Sequence, residues 1–406
     1  MYHSWKKVRG GVTAPEGFSA AGISCGIKES GKKDLALLLS EQPARWGAVL
    51  TTSLAPAAPV LLTRALLRRR LPLQAILVNS GNANSATGEP GKQAARSVTA
   101  AAAERCGLPL SSVVMASTGI IGVQLPEGKI SRGLSRLVGR LSPSGGKDAA
   151  EAIMTTDTVP KEEALELKLR GGRKIRIGGM AKGAGMIDPK MATLLAFVTT
   201  DADVPRVVLN RLLRRAVESS FNRITIDGDM STNDTVLVMA NGASGVAVAA
   251  GSAEEKLLAG GLTDLCRRLA ASIVRDGEGA TKFVEVRVTG ARSGADALRA
   301  ARAIANSALV KTAWYGQDLN WGRILAALGY SGAQVKAEKV SITVNGKGAV
   351  TGGEVVPRGE FSRAQREMKR SELFFVIDLG LGRGEESVLT CDFSLDYVRE
   401  NALYTT

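Results

Sequence analysis

The sequence predicts a protein of mixed α and β structure, on three observations. The chain has 406 residues, which is enough for about two to four domains with a large buried core. Helical patterns alternate with short apolar runs along the whole chain, and 46 glycines punctuate them. Because 45% of the residues are hydrophobic, a disordered chain and a collagen are both excluded.

Apolar runs and helical spacing place the elements of the first two thirds of the chain. The apolar runs predict strands at residues 47–53, 74–79, 112–116, 165–169, 174–178, 193–200 and 235–240. The helical spacing predicts helices at residues 57–71, 91–106, 129–141, 204–220 and 253–276. Pro205 supports the start of the fourth helix, since the missing N–H of proline is harmless there. The LSPSGGK segment at 141–147 predicts a surface loop.

The pattern changes after the DGEG segment at residues 276–279. A strand is predicted at 283–289, then a glycine-rich turn, a helix at 295–310 and strands joined by an Asn345-Gly346 hairpin turn. We therefore predict two domains, 1–282 and 283–406.

The net charge is +14, from 53 Lys and Arg against 39 Asp and Glu, which raises the question of nucleic-acid binding. The basic residues of TRALLRRRL at 63–71 and NRLLRRAVE at 210–218 alternate with leucines at helical spacing. This pattern is typical of the solvated face of an amphipathic helix. The sequence has no helix-turn-helix, zinc-finger or aromatic RNA-binding pattern, so a nucleic-acid partner is the least favoured interpretation.

The numbers and positions of cysteine and histidine indicate the cellular compartment and restrict the possible catalytic mechanisms. The four cysteines, Cys25, Cys106, Cys266 and Cys391, lie far apart, which predicts reduced thiols rather than disulfides or a zinc site. No apolar run approaches the ~18 residues of a membrane span, and the N-terminus lacks a signal-peptide core, so we expect a cytoplasmic protein without a membrane partner. His3 is the only histidine and lies in an N-terminal segment that we expect to be mobile, which argues against a Ser-His-Asp or Cys-His arrangement and against a multi-histidine metal site.

The densest motif is GGMAKGAGMIDPKMAT at residues 178–193, which leads into the apolar run LLAFVTT. Its glycines allow close approach of a ligand, Pro189 fixes φ, and Thr193 falls where the loop meets a buried strand. A phosphate-binding or merely tight loop is the alternative, although neither common phosphate-binding glycine pattern matches. An N-terminal threonine can use its own α-amine, of pKa about 7.7–8.0, as the base. Thr193 would therefore be a nucleophile if the chain were cut before it.

Three other polar segments have a functional and an ordinary interpretation. The STGIIG segment at 117–122 follows an apolar run and is either an oxyanion-binding turn or an ordinary turn. The DGDMSTND segment at 227–234 fails the EF-hand spacing for calcium, which favours an Asx-rich loop that satisfies its own backbone. Glu278 lies in either a simple turn or a buried position near a ligand amine.

Several long motifs follow one another over nearly the whole chain. They are GGVTAPEGFSAAG at 10–22, ILVNSGNANSATG at 76–88, ASTGIIGVQLP at 116–126, IMTTDT at 153–158, KGAGMIDPKMATLLAF at 182–197, FNRITIDGDMSTNDT at 221–235, DGEGATKFVEVRVTG at 276–290, LVKTAWYGQDLNWGRILAALGYSG at 309–332 and NALYTT at 401–406. In this order they resemble the glutamate N-acetyltransferase family of arginine biosynthesis, also called the ornithine acetyltransferase family. So many long blocks in the family's order are highly specific.

The resemblance implies self-cleavage between Ala192 and Thr193, which gives an α chain, residues 1–192, and a β chain, residues 193–406. Thr193 would then attack the acetyl group of N2-acetyl-L-ornithine, with its own α-amine as the base. Thr118 and Gly119 would stabilise the oxyanion, and L-glutamate would take the acetyl group from the acyl-threonine in a ping-pong cycle.

The resemblance also implies a set of substrate-binding residues. They are Thr156, Lys182, Thr193, Glu278, Asn401 and Thr406. Charge suggests that Lys182 binds a substrate carboxylate and that Glu278 binds the ornithine side-chain ammonium. Thr155 is a close alternative to Thr156. Lys190 and Leu403 stand where the family commonly has Asn and Asp, so they bear on rate and fine specificity.

The fold implied by the resemblance is an α-β-β-α layered core, similar to that of N-terminal-nucleophile hydrolases, with a smaller C-terminal α/β domain. The implied assembly is a heterotetramer of two α and two β chains, and no metal or organic cofactor is expected. Whether acetyl-CoA is a second acetyl donor stays open. The main rival is a related N-terminal-nucleophile aminopeptidase or amidase, which would pass the acyl group to water.

Overall fold

The computed structural model describes residues 5–188 and 194–403, in which the strands form a nine-stranded and a six-stranded sheet. The strands of the larger sheet are β1 (Lys6–Lys7), β2 (Phe18–Ile23), β3 (Leu35–Leu50), β4 (Leu73–Asn82), β5 (Val113–Ile120), β6 (Lys161–Lys168), β7 (Lys174–Lys182), β8 (Leu195–Thr200) and β9 (Thr235–Ala240). The helices in this part of the chain are α1 (Ala58–Arg69), α2 (Gly88–Arg105), α3 (Glu127–Val138), α4 (Gly146–Ala152), α5 (Arg206–Glu218) and α6 (Ala253–Arg275).

Strand β3 divides the larger sheet into two halves. Its residues 35–44 pair with β4, whereas its residues 45–50 pair with β9. The order is β1-β6-β7-β8-β9-β3-β4-β5, and β2 pairs with the first half of β3. Phe197 of β8 and Met239 of β9 share one buried cluster with Ile76 of β4 and Val114 of β5, so the two halves pack face to face.

The opposite faces of the two halves are covered by helices. In β8, Phe197 faces the inner cluster, while Val198 packs with the helices α5 and α6. In β4, Ile76 faces the inner cluster, while Leu77 packs with α1, α2 and α3. Strands buried on both faces appear as continuous apolar runs, as these do. The predicted α-β-β-α layered core is confirmed.

The six-stranded sheet has a buried core of its own. Its strands, β10 (Phe283–Ala291), β11 (Ser341–Val344), β12 (Lys347–Thr351), β13 (Glu354–Val355), β14 (Glu372–Asp378) and β15 (Gly384–Cys391), lie in the order β13-β12-β11-β14-β10-β15. The helices of this region are α7 (Gly294–Asn306), α8 (Ala308–Tyr315), α9 (Trp321–Gly329), α10 (Arg358–Glu367) and α11 (Leu395–Leu403). The domain boundary near residue 282 stays a prediction.

Most predicted elements are confirmed with shifts of a few residues at their ends. The single helix predicted at 295–310 is wrong, because Ser307 adopts an extended backbone and caps α8, with its side chain accepting from the Val310 N–H. The predicted loop at 141–147 is wrong at its end, since α4 begins at Gly146. The Asn345-Gly346 turn is confirmed, with φ of +46° and +74°, as a tight hairpin requires.

The cysteines and the helices bear on the predictions made from composition. All four cysteines are free thiols, and two of them, Cys266 and Cys391, are buried. In residues 5–188 and 194–403, no helix combines the length and apolar character that crossing a bilayer would need. His3 lies outside the described residues.

Candidate active site

A cavity of about 440 Å³ brings together six of the predicted site residues. Its lining includes Thr118, Gly119, Thr156, Lys182, Glu278 and Asn401. Thr155 also lines it, so the choice between Thr155 and Thr156 stays open. The other three, Ala192, Thr193 and Thr406, lie outside the described residues, as does Lys190.

Thr118 and Gly119 lie near the carboxyl end of β5, beside the parallel strand β4. Gly119 has φ of +131°, a conformation that residues with a side chain rarely adopt. A Cβ atom there would overlap the backbone of Gly81 and Asn82. The closeness of the two strand ends therefore requires glycine at position 119.

A buried network of hydrogen bonds stabilises the carboxyl end of β5. The Ser117 hydroxyl donates to Asn79 Oδ1 at 2.6 Å, and Asn79 Nδ2 donates to the Asn82 carbonyl at 2.8 Å. Asn233 Nδ2 donates to the carbonyls of Ala83 at 2.7 Å and Ser117 at 2.8 Å. Sequence reasoning missed these contacts, although the motifs NSGNAN and STND are polar runs beside apolar strands.

Lys182 is a buried cation, 4% exposed, at the end of β7. Its Nζ lies 3.9 Å from Asp157 Oδ2. Asp157 Oδ1 accepts from Lys161 Nζ at 2.6 Å and from the Gly183 N–H at 2.7 Å. Lys161 Nζ also contacts Asp276 Oδ2 at 2.6 Å, so four charged side chains form a buried chain that ends at the pocket. Asp157, Lys161 and Asp276 were not among the site residues predicted from the sequence.

The pKa values of Asp157 and Lys182 reflect this arrangement. Burial opposes ionisation of Asp157, but the ammonium groups of Lys182 and Lys161 and the Gly183 N–H hold its pKa below the usual range. Burial lowers the pKa of Lys182, and Asp157 offsets part of that effect. Asp157 therefore helps to keep a positive charge in the pocket wall.

We expect Asp157→Asn to lower the free energy of unfolding by about 3–5 kcal/mol at neutral pH, because Lys182 then lacks its buried counter-charge. The folded-state pKa of Asp157 lies below its unfolded value of about 3.9, so the carboxylate stabilises the fold above that value. The contribution is lost as the pH falls through the folded-state pKa. The difference between parent and variant should therefore be largest at neutral pH and shrink below about pH 4.

Urea unfolding between pH 7 and pH 3 measures this difference in stability. The measurement uses a Thr193→Ala background, which we expect to remain one uncut chain. Asp148→Asn is the matched control, since Asp148 pairs with Lys33 at the surface. This substitution should lower the free energy of unfolding by less than about 1 kcal/mol. Equal effects of the two substitutions at pH 7 would contradict the buried role of Asp157.

Glu278 is 9% exposed and faces the same cavity as Lys182. Its Oε2 accepts from Asn401 Nδ2 at 2.9 Å, which joins α11 to the loop after α6. A Cβ on Gly185 would overlap the Glu278 carboxylate, so the glycine-rich segment provides the room for this side chain. The ligand-facing interpretation of Glu278 is therefore favoured over a simple turn.

Asp227 connects the glycine-rich segment to the segment before β9. It accepts from the N–H groups of Met186 and Ile187, the latter at 2.8 Å, as well as from the Asp229 N–H at 3.1 Å. Burial raises its pKa to about 6, although these N–H groups act in the opposite direction. The prediction that this loop satisfies its own backbone is confirmed by the Asp229 N–H, which donates to Asp227, and the Asn233 N–H, which donates to Ser231. Asp227 and Asn233 also bind other segments, which the sequence did not predict.

Comparison with known proteins gives one consistent family. The family model described as "ArgJ family" matches residues 19–406. An "Arginine biosynthesis bifunctional protein ArgJ" of Symbiobacterium thermophilum is 50% identical over 400 residues, covering 98% of this chain and 99% of the relative. A protein of the same description from Geobacter sulfurreducens is 49% identical over 395 residues, covering 96% and 99%. The crystal structure of "Arginine biosynthesis bifunctional protein argJ" from Bacillus halodurans is 40% identical, covers 51% of this chain and 98% of that chain, and has a TM-score of 0.49.

Proposed function

The chain belongs to the ArgJ family, and from this premise we propose that it is a self-processing acetyltransferase of arginine biosynthesis. It moves an acetyl group from N2-acetyl-L-ornithine to L-glutamate through an acyl-enzyme. The observation that carries the proposal is that Thr118-Gly119, Lys182 and Glu278, from three distant parts of the chain, line one cavity.

The charges of the cavity suit an amino-acid substrate. Lys182 and Glu278 are both buried in its wall and carry opposite charges. Asp157 already lies near Lys182 at 3.9 Å, and a zwitterionic ligand would add a carboxylate for Lys182 and an ammonium for Glu278. In our proposal Lys182 binds the substrate carboxylate and Glu278 binds the side-chain ammonium of ornithine. Thr156, Asn401 and Thr406 complete the binding residues.

The reaction begins after cleavage between Ala192 and Thr193. The α-amine of Thr193 takes the proton of its own hydroxyl as Oγ bonds to the acetyl carbon. Thr118 and Gly119 stabilise the negative oxygen of the tetrahedral intermediate. The C–N bond then breaks, and the amine returns the proton to ornithine as it leaves. L-Glutamate attacks the resulting ester through its own amine, which yields N-acetylglutamate and restores the threonine.

Assembly and compartment are part of the same proposal. The cleaved chains associate as a heterotetramer of two α and two β chains, which light scattering of the purified protein measures. The four free thiols support a cytoplasmic compartment, where thiols stay reduced. The chemistry needs no metal or organic cofactor, since the substrate contacts and the base are all supplied by this chain.

We expect ornithine release beyond one equivalent per active site to depend on glutamate, and N-acetylglutamate to form in equal amount in that phase. Mass spectrometry of the reaction mixture with and without glutamate measures both products. Multiple turnovers to free acetate without glutamate would contradict the proposal and indicate the aminopeptidase or amidase alternative. Replacing N2-acetylornithine by acetyl-CoA in the same assay decides whether acetyl-CoA is a second donor.

A further inference from the structure

Asp234 is a buried carboxyl group that the reaction described above does not use. It lies directly before β9 and is 1% exposed. Its Oδ1 accepts from the Leu194 N–H at 2.9 Å. Its Oδ2 is also buried and makes no well-formed hydrogen bond within residues 5–188 and 194–403, while the Thr51 hydroxyl lies near enough to the carboxyl group to lower its pKa. A buried carboxyl oxygen without a well-formed hydrogen bond is costly, so its retention calls for a functional reason.

The surrounding backbone fixes Asp234 against Leu194. The Thr235 N–H donates to the Leu194 carbonyl at 3.1 Å, while Asp234 accepts from the Leu194 N–H. Asp234 is itself held by the Thr51 N–H, which donates to the Asp234 carbonyl at 2.9 Å. Both polar backbone groups of Leu194 are therefore fixed, one of them by the carboxyl group.

Leu194 is the residue that follows the proposed cleavage position. Its amide nitrogen is three covalent bonds from the nitrogen of residue 193, which is the nitrogen released when the 192/193 peptide breaks. Three bonds of standard length place these two nitrogens within about 4 Å of each other. A carboxyl group bonded to the Leu194 N–H is thus close to the reacting peptide.

The state of the carboxyl group suits proton donation. Burial raises the pKa of Asp234 well above its ordinary value, against the lowering effects of the Leu194 N–H, the Lys182 ammonium and the Thr51 hydroxyl. A neutral carboxyl group has one O–H donor, whereas a carboxylate only accepts. The raised pKa therefore favours the protonated form of Asp234, which has a proton to donate.

We propose that Asp234, held against the Leu194 N–H, is the proton-transfer residue of self-cleavage and acts on the peptide between residues 192 and 193. The inference rests on the proposed function, which requires that cleavage. Oγ of Thr193 bonds to the Ala192 carbonyl carbon, and the C–N bond breaks as Asp234 gives its proton to the nitrogen. Asp234 recovers the hydroxyl proton, and the Thr193 amine is then free. Water adds to the ester and its C–Oγ bond breaks, which leaves a carboxylate on Ala192, returns the hydroxyl group to Thr193 and releases one proton to solvent.

The test is the rate of cleavage of Asp234→Asn, followed by intact mass from the time of synthesis. Asparagine keeps the size of the side chain and an oxygen for the Leu194 N–H, but it cannot transfer a proton. We expect cleavage to slow by at least about 100-fold, the usual contribution of a general acid or base. Asp234→Glu restores the carboxyl group and should cut faster than Asp234→Asn.

Asp201→Asn is the matched control, because Asp201 is also a buried carboxyl group at a strand end. It is 2% exposed and accepts from the N–H groups of Arg176 at 2.8 Å and Glu16 at 3.2 Å. Burial raises its pKa to about 6. Asp201→Asn should cut at the parent rate, since Asp201 has no contact with Leu194 among its described hydrogen bonds.

The outcomes separate this inference from the proposed function. If the parent is cut and Asp234→Asn is cut at a similar rate, this inference alone is overturned. A folded Asp234→Glu chain that is cut as slowly as Asp234→Asn would also overturn it, because the glutamate carboxyl group should restore proton transfer. If Asp234→Asn does not fold, cleavage of Asp234→Glu within about tenfold of the parent supports the inference. A parent that stays whole overturns the proposed function as well.

Discussion

Replacing Thr193 by alanine should leave one uncut chain and abolish acetyl transfer. The substitution removes the hydroxyl group that attacks the peptide during self-cleavage, so no N-terminal amine is produced. It also removes the nucleophile of the transfer reaction. Loss of a nucleophile costs about 10⁴-fold or more in turnover, and here the base is lost with it.

Intact-mass spectrometry and the glutamate-dependent assay measure the two losses separately. Thr193→Ser is the matched control, because serine keeps both the hydroxyl group and the future α-amine. We expect it to be cut and to retain part of the transfer activity. Cleavage of the Thr193→Ala chain at the same bond, or turnover by an uncut chain, would remove Thr193 from the mechanism.

The layers of the fold could be predicted from the sequence because the strands carry their own signal. Strands such as β8 and β9 are apolar at successive positions, as burial on both faces requires, and their bounds follow from that pattern. Strand β3 could not be predicted in full, since the polar residues Ser40, Glu41 and Gln42 interrupt it before Pro43. That interruption lies where the strand passes from one half of the sheet to the other.

The site could be predicted from the sequence only where its residues lie in one local motif. The glycine-rich segment and STGIIG were each identified as candidates, but their meeting at one cavity depends on contacts between distant segments. Asp157, Lys161 and Asp276 show the limit most clearly. A single charged residue in a sequence normally indicates an exposed position. Nothing in the local pattern indicates that these three are buried together across more than 100 positions.

Replacing Gly119 by alanine should destroy the proposed oxyanion site and weaken the core. The residue has φ of +131°, and a Cβ would overlap the backbone of Gly81 and Asn82, so the ends of β4 and β5 must separate. Backbone strain of about 1–3 kcal/mol and overpacking of about 1–3 kcal/mol both oppose the native arrangement. Displacing an oxyanion donor costs about 10²–10³-fold in turnover.

Gly122→Ala separates this steric effect from the cost of a left-handed backbone. Gly122 has φ of +83° in the same segment, but a Cβ there meets no described atom within 4 Å. We expect Gly122→Ala to lose only the backbone cost and to keep most of its acetyl transfer. Thermal unfolding and the glutamate-dependent assay, applied to both variants, measure stability and turnover. Equal losses in the two variants would mean that conformation alone selects glycine at position 119, and that the contact between the strand ends does not shape the site.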